Sequence, residues 1–124
     1  MDPINVLIVD DEGEFVEAVV ERLRLRGFAA EGVTNGHDAL ELLIQRSFDV
    51  VLLDVKMPGL GGLEVIRKVK EKWPALQVVL LTGHGSTQDV EEGMQLGAFK
   101  YLMKPVNFDD LIAILVQADH IAFL

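Results

Sequence analysis

The sequence predicts an α/β fold, a doubly wound parallel sheet of five strands with helices on both faces. Three observations predict it. Short apolar runs alternate five times with amphipathic stretches, the runs Val50–Leu53 and Val78–Leu81 are apolar without a break, and turn residues separate successive segments. Strands buried on both faces read as continuous apolar runs. Strict alternation of strand and helix implies a parallel sheet with crossover helices.

Val6–Val9 reads as the first buried strand. Glu14 to Arg26 reads as a helix with Phe15, Val19 and Leu23 on one face, ended by Gly27. Ala29–Val33 is a weaker strand. Ala39, Leu40, Leu43 and Ile44 mark a second helix after the Asn35-Gly36 turn, and Val50–Leu53 is the third strand. Met57-Pro58-Gly59 and Gly61-Gly62 break the chain into a loop. Leu63, Ile66, Val69 and Trp73 give a third helix stopped by Pro74, followed by the strand Val78–Leu81 and the loop Gly83-His84-Gly85. Ser86 with Asp89 has capping-box spacing for a fourth helix closed by Gly97. Lys100–Met103 is a short fifth strand, and Asn107 caps a last helix carrying Leu111, Leu115 and Ala118.

Composition narrows the function classes. Residues 1–124 are read as a single domain, long enough to bury a core without staples. There is no cysteine, which excludes a disulfide scaffold and a cysteine-based zinc site and accords with a reducing cytoplasm. Met1-Asp2-Pro3 is acidic, unlike the start of a signal peptide, and no apolar run approaches the length of a membrane span. A net charge of −9 disfavours nucleic-acid binding by this domain.

Sites in such sheets form beyond the carboxyl ends of the strands. The residues there are Asp10-Asp11, Asp54, Thr82 and Lys104. Three carboxylates, a hydroxyl and an ammonium would meet at one rim. Crowded carboxylates resist ionisation, a hard divalent cation such as Mg²⁺ relieves them, and a carboxylate can attack phosphorus to form an aspartyl phosphate. Each residue alone also has a plainer reading. Asp11 and Glu14 have capping-box spacing, Asp54 opens a loop, Thr82 ends a strand, Lys104 reads as a solvated lysine and Tyr101 as core. The coincidence of every polar candidate with a strand end favours the joint reading.

The segments Val9-Asp10-Asp11-Glu12, Leu53-Asp54-Val55-Lys56-Met57-Pro58-Gly59, Leu81-Thr82-Gly83 and Lys104-Pro105, in this order and spacing, resemble the receiver domain of two-component response regulators over nearly the whole chain. The resemblance implies a flavodoxin-like strand order 2-1-3-4-5 and a phosphorylation-dependent switch with Mg²⁺ as cofactor. It assigns Asp54 as phosphoacceptor and Asp11 as direct metal ligand. Asp10 would hold metal-bound water, and the Lys56 backbone carbonyl would be a further ligand. Thr82 and Lys104 would contact the phosphoryl group, Tyr101 would change rotamer on activation, and the Lys104–Pro105 bond would be cis. Lys56 and His84 are implied to tune the phosphoryl lifetime.

The implied partners are a sensor histidine kinase or phosphotransfer protein and, through the face of the fourth helix, fifth strand and fifth helix, an output domain of transcriptional type or a second copy of the chain. The domain would catalyse only its own phosphorylation and slow dephosphorylation. A single-domain phosphorelay carrier and a receiver-like module that is never phosphorylated remain alternatives. An aspartate-nucleophile phosphatase of the haloacid-dehalogenase type is disfavoured because Lys56 stands where its second aspartate belongs. A flavin or nucleotide site is disfavoured because Asp10-Asp11-Glu12-Gly13-Glu14 follows the first strand in place of a phosphate-cradling turn.

Overall fold

A computed structural model describes residues 2–83 and 87–122. Five strands alternate with five helices: β1 Asn5–Val9, α1 Gly13–Leu25, β2 Ala29–Val33, α2 Gly36–Gln45, β3 Val50–Asp54, α3 Gly62–Lys72, β4 Gln77–Thr82, α4 Thr87–Gln95, β5 Lys100–Met103 and α5 Phe108–Ala122. All pairings are parallel and the sheet order is β2-β1-β3-β4-β5. Among the described residues, no helix is long and apolar enough to cross a membrane.

Alternation along the central strands divides the core into two layers. Leu7, Val51, Leu53, Val78 and Leu80 face α2 and α3, meeting Ala39, Leu43, Val65, Ile66 and Val69. Val6, Ile8, Val50, Leu52, Val79 and Leu81 face α1 and α5, meeting Val19, Leu23, Leu111 and Leu115. Every residue of β3 is buried, which is why its sequence shows no polar alternation.

The polar strand ends belong to the backbone ladder. Asp54 pairs with Leu81 and Thr82 with Met103, so β3 and β4 run one residue beyond their apolar stretches. Ladder hydrogen bonding thus fixes the backbone that carries both side chains.

The structure corrects the inward placement of Ile44 and sets aside three of the plainer readings. Asp11 does not cap α1: the N-cap is Glu12, which makes no side-chain cap bond, and the helix runs Gly13–Leu25. Ile44 is 65% exposed, because Ala39 and Leu43 set the inward face of α2 and Ile44 lies about 100° further round the helix. Tyr101 is 48% exposed and not core, because β5 is an edge strand with little covering its outer side. Lys104 is not a solvated lysine; its side chain is 15% exposed and ion-paired. The caps by Asn35 on Asp38 N–H (2.8 Å) and by Asn107 on Asp110 N–H (3.0 Å) are formed. His84 and Ser86 lie outside the described residues.

Candidate functional site

Asp10 follows β1, Asp54 ends β3, Thr82 ends β4 and Lys104 follows β5, so neighbouring parallel strands deliver all four to one rim. Asp10 is fully buried and Asp54 is 6% exposed. The Asp10 backbone N–H is tied to Val33 (3.3 Å), and its Oδ1 accepts from the Glu12 backbone N–H (2.9 Å), which orients the carboxyl group. Asp54 Oδ1 accepts a longer bond from Lys56 N–H at 3.3 Å. Beneath it, Gly62 begins α3 against the Asp54–Val55 backbone. A Cβ at Gly62 would overlap the Asp54 carbonyl oxygen and come within 2.8 Å of Val55 Cα, so only glycine lets the helix start here.

Carboxylate oxygens of Asp10, Asp11 and Asp54 lie within 4.8 Å of one another. Among the described residues, no aligned hydrogen-bond donor reaches Asp10 Oδ2, which instead meets the Lys104 ammonium at 2.5 Å as a charge pair. A buried, incompletely satisfied carboxylate oxygen within a set of hard oxygen donors fits a divalent cation of the Mg²⁺ type.

The charges shape one another. Burial pushes the Asp54 carboxyl up to about 6, the Asp10 charge adds to this, and Lys104 partly opposes it. Partial burial pulls Lys104 down, but the carboxylates of Asp10, Glu12 and Asp54 outweigh it and leave the ammonium above its ordinary value. Glu12 is held below the usual carboxylate range by the hydrogen bond and charge of Lys104.

The structure brings Asp10, Asp11, Asp54 and Lys104 together, with Thr82 buried at the adjacent strand end. The Lys104–Pro105 bond is cis. Tyr101 stands apart, sharing with Thr82, Val90, Glu91, Met94 and Met103 a cleft of about 570 Å³ between α4 and β5. The exposed Lys56 ammonium reaches across to Asp89 of α4 at 3.7 Å. Sequence reasoning gave neither Glu12 nor Phe15 a part at Lys104, which both contact. An unassigned glutamate beside the acidic pair, in a loop facing the end of β5, was the available signal for Glu12.

Comparison with known proteins agrees with this geometry. The response regulator receiver domain family model matches residues 6–116. The transcriptional regulatory protein ZraR of Escherichia coli O157:H7 is 35% identical over 94% of this chain and 26% of its own length. The DNA-binding transcriptional regulator NtrC of Escherichia coli K12 is 33% identical over 91% of this chain and 24% of its own length. The chain therefore spans about a quarter of the length of these relatives. A response regulator receiver domain protein from Clostridium thermocellum superposes with a TM-score of 0.90 at 32% identity, covering 94% of each chain. With the sheet order, the acidic rim and the family match all in agreement, the chain belongs to the response regulator receiver domains of two-component systems.

Proposed function

We propose that this domain is a phosphorylation switch in which Asp54 accepts a phosphoryl group from a phosphohistidine of a sensor kinase or phosphotransfer protein, with Mg²⁺ bound at the acidic rim. The observation that carries the reading is the convergence of Asp10, Asp11 and Asp54 beside the Lys104 ammonium, with Asp10 Oδ2 short of donors. Asp10, Asp11, Asp54 and the Lys56 backbone carbonyl would hold the ion. When bound, Mg²⁺ neutralises carboxylate charge and helps to screen the transferring oxygens.

The chain's own residues supply the rest. The Asp54 oxygen not engaged by Lys56 N–H attacks phosphorus. The new O–P bond forms as the P–N bond breaks, and the electron pair leaves on the imidazole nitrogen, which takes up a proton. Lys104 places positive charge beside the transferring oxygens, and the Thr82 hydroxyl donates to one of them. Hydrolysis by water reverses the state, at a rate that the residues two positions after Asp54 and Thr82 would tune.

The signal then leaves through the α4–β5–α5 face. The cleft joining Thr82 to Tyr101 supports this reading, because it offers the ring somewhere to turn when the hydroxyl moves. The partner there is a transcriptional output domain or a second copy of the chain, in the cytoplasm, with no direct nucleic-acid contact by this domain. Incubation with acetyl phosphate and Mg²⁺ is expected to add one phosphoryl mass to the parent and none to Asp54→Asn. A hydroxylamine-labile phosphoryl group on the variant would rule out Asp54 as the acceptor.

A further inference from the structure

Glu12 stands at the N-cap of α1, yet its carboxylate makes no cap hydrogen bond. It reaches Lys104, 92 positions away in sequence, with Oε1 accepting from Nζ at 2.7 Å. The Lys104 ammonium is thereby engaged on three sides: by Asp10 Oδ2 at 2.5 Å, by Glu12 Oε1, and by the ring of Phe15 with its centroid 4.7 Å away. The backbone holds this arm in place, since Glu12 N–H donates to Asp10 Oδ1 at 2.9 Å and Val16 N–H donates to the Glu12 carbonyl at 3.0 Å.

An ammonium has three N–H donors and no more. With carboxylates on two sides and a ring on the third, Lys104 turns toward a phosphoryl oxygen by loosening one of these contacts. Asp10 is fully buried and costly to abandon, whereas the Glu12 side chain is 65% exposed and rehydrates when it lets go.

We infer that Glu12 is a positioning residue that restrains Lys104, an ion-pair partner on the first turn of α1 that incoming phosphoryl oxygens displace. This rests on the proposed function of Asp54 and Lys104. Glu12 has no place in the bond-making step; it sets how readily the lysine joins it. Losing the restraint frees the cation and also removes a negative charge near an anionic donor, so the test separates the two effects.

The rate of phosphoryl gain from acetyl phosphate with Mg²⁺ is measured on the whole chain for the parent, Glu12→Gln, Glu12→Asp and Glu14→Gln. Glu12→Gln is expected to react roughly three- to fivefold faster, the upper scale of one partly exposed ion pair. Glu12→Asp keeps the charge but shortens the arm by one methylene, which pulls the carboxylate back from its 2.7 Å contact with Nζ, and is expected to approach the rate of Glu12→Gln. Glu14→Gln removes an exposed charge from the same turn and is expected to stay within about twofold of the parent. A Glu12→Asp protein that keeps the parent rate would mean that charge alone repels the donor, and would overturn the restraint. In parallel, reductive methylation read by peptide mass is expected to label Lys104 faster in Glu12→Gln than in the parent, without any phosphoryl donor; unchanged labelling would also overturn it. A parent that takes no phosphoryl group overturns the proposed function itself. A parent that takes one, with Glu12→Gln no faster, overturns only the role of Glu12.

Discussion

The ends of β1 and β3 and the edge at β5 are built in opposite ways. At the first, the carboxylates of Asp10 and Asp54 are buried, the strands beneath them are covered on both faces, and α3 presses directly on the backbone of Asp54 and Val55. At the second, Tyr101 and Met103 are about half exposed, and a cleft separates the strand from α4. The difference teaches where each task sits. Groups on the central strands are held by packing on both faces, whereas groups at the β5 edge can rearrange while displacing little packing.

The sharpest test of the rigid side is Gly62→Ala. A Cβ that meets backbone on two sides has no flexible neighbour to push aside, so a loss of about 3 kcal/mol is expected in urea unfolding. A loss below about 1 kcal/mol would show that the start of α3 can yield, and the contrast would weaken.

Charge crowding provides the next test. The folded Asp54 carboxyl titrates near 6, against an ordinary value of 3.8. Between these values the folded state holds a proton that the unfolded chain has already lost. Stability from this group therefore rises as the pH falls through about 6 and levels off below about 4; above 6 the ionised group is a burden. Asp54→Asn without metal is expected to gain about 2 kcal/mol at pH 7 and nothing at pH 4. Equal gains at both pH values would mean that the charge is not the cause.

Metal binding follows at a smaller scale. Asp11→Ala removes an exposed carboxylate from the cluster and is expected to weaken Mg²⁺ roughly tenfold by calorimetry. Undiminished affinity would remove Asp11 from the ligand set.

The smallest energetic effect is expected at the loose side. Tyr101→Ala should change stability by less than about 1 kcal/mol, since the ring is half exposed. Thr82→Ala should leave Asp54 able to accept phosphoryl while reducing the amide-exchange change of α4 and β5 on adding beryllofluoride and Mg²⁺. If the parent shows the same exchange with and without beryllofluoride, this face does not carry the signal.

The central region was more legible in the sequence than the edge for the same physical reason. Val50–Leu53 is continuously apolar because both faces are buried, and the polar residues after such runs mark the rim directly. Tyr101 carries two readings because an aromatic in a short strand looks identical whether that strand is central or at an edge; sheet order decides, and composition does not carry it. Asp11 carries two readings because capping boxes and acidic rims use the same residues at the same spacing. The Glu12–Lys104 pair was invisible for a different reason, since it joins positions 92 apart through a fold that must exist before they meet.

Asp54 lies opposite Leu81 on β4, and the next residue on that strand, Thr82, lies opposite Met103 on β5. A single strand therefore separates the acidic rim from the outer edge. On the proposed function, this places the two tasks on separate strands with one strand between them. If the proposed output face is right, side chains along that edge could be exchanged for a new downstream partner without touching the acid on β3, two strands away.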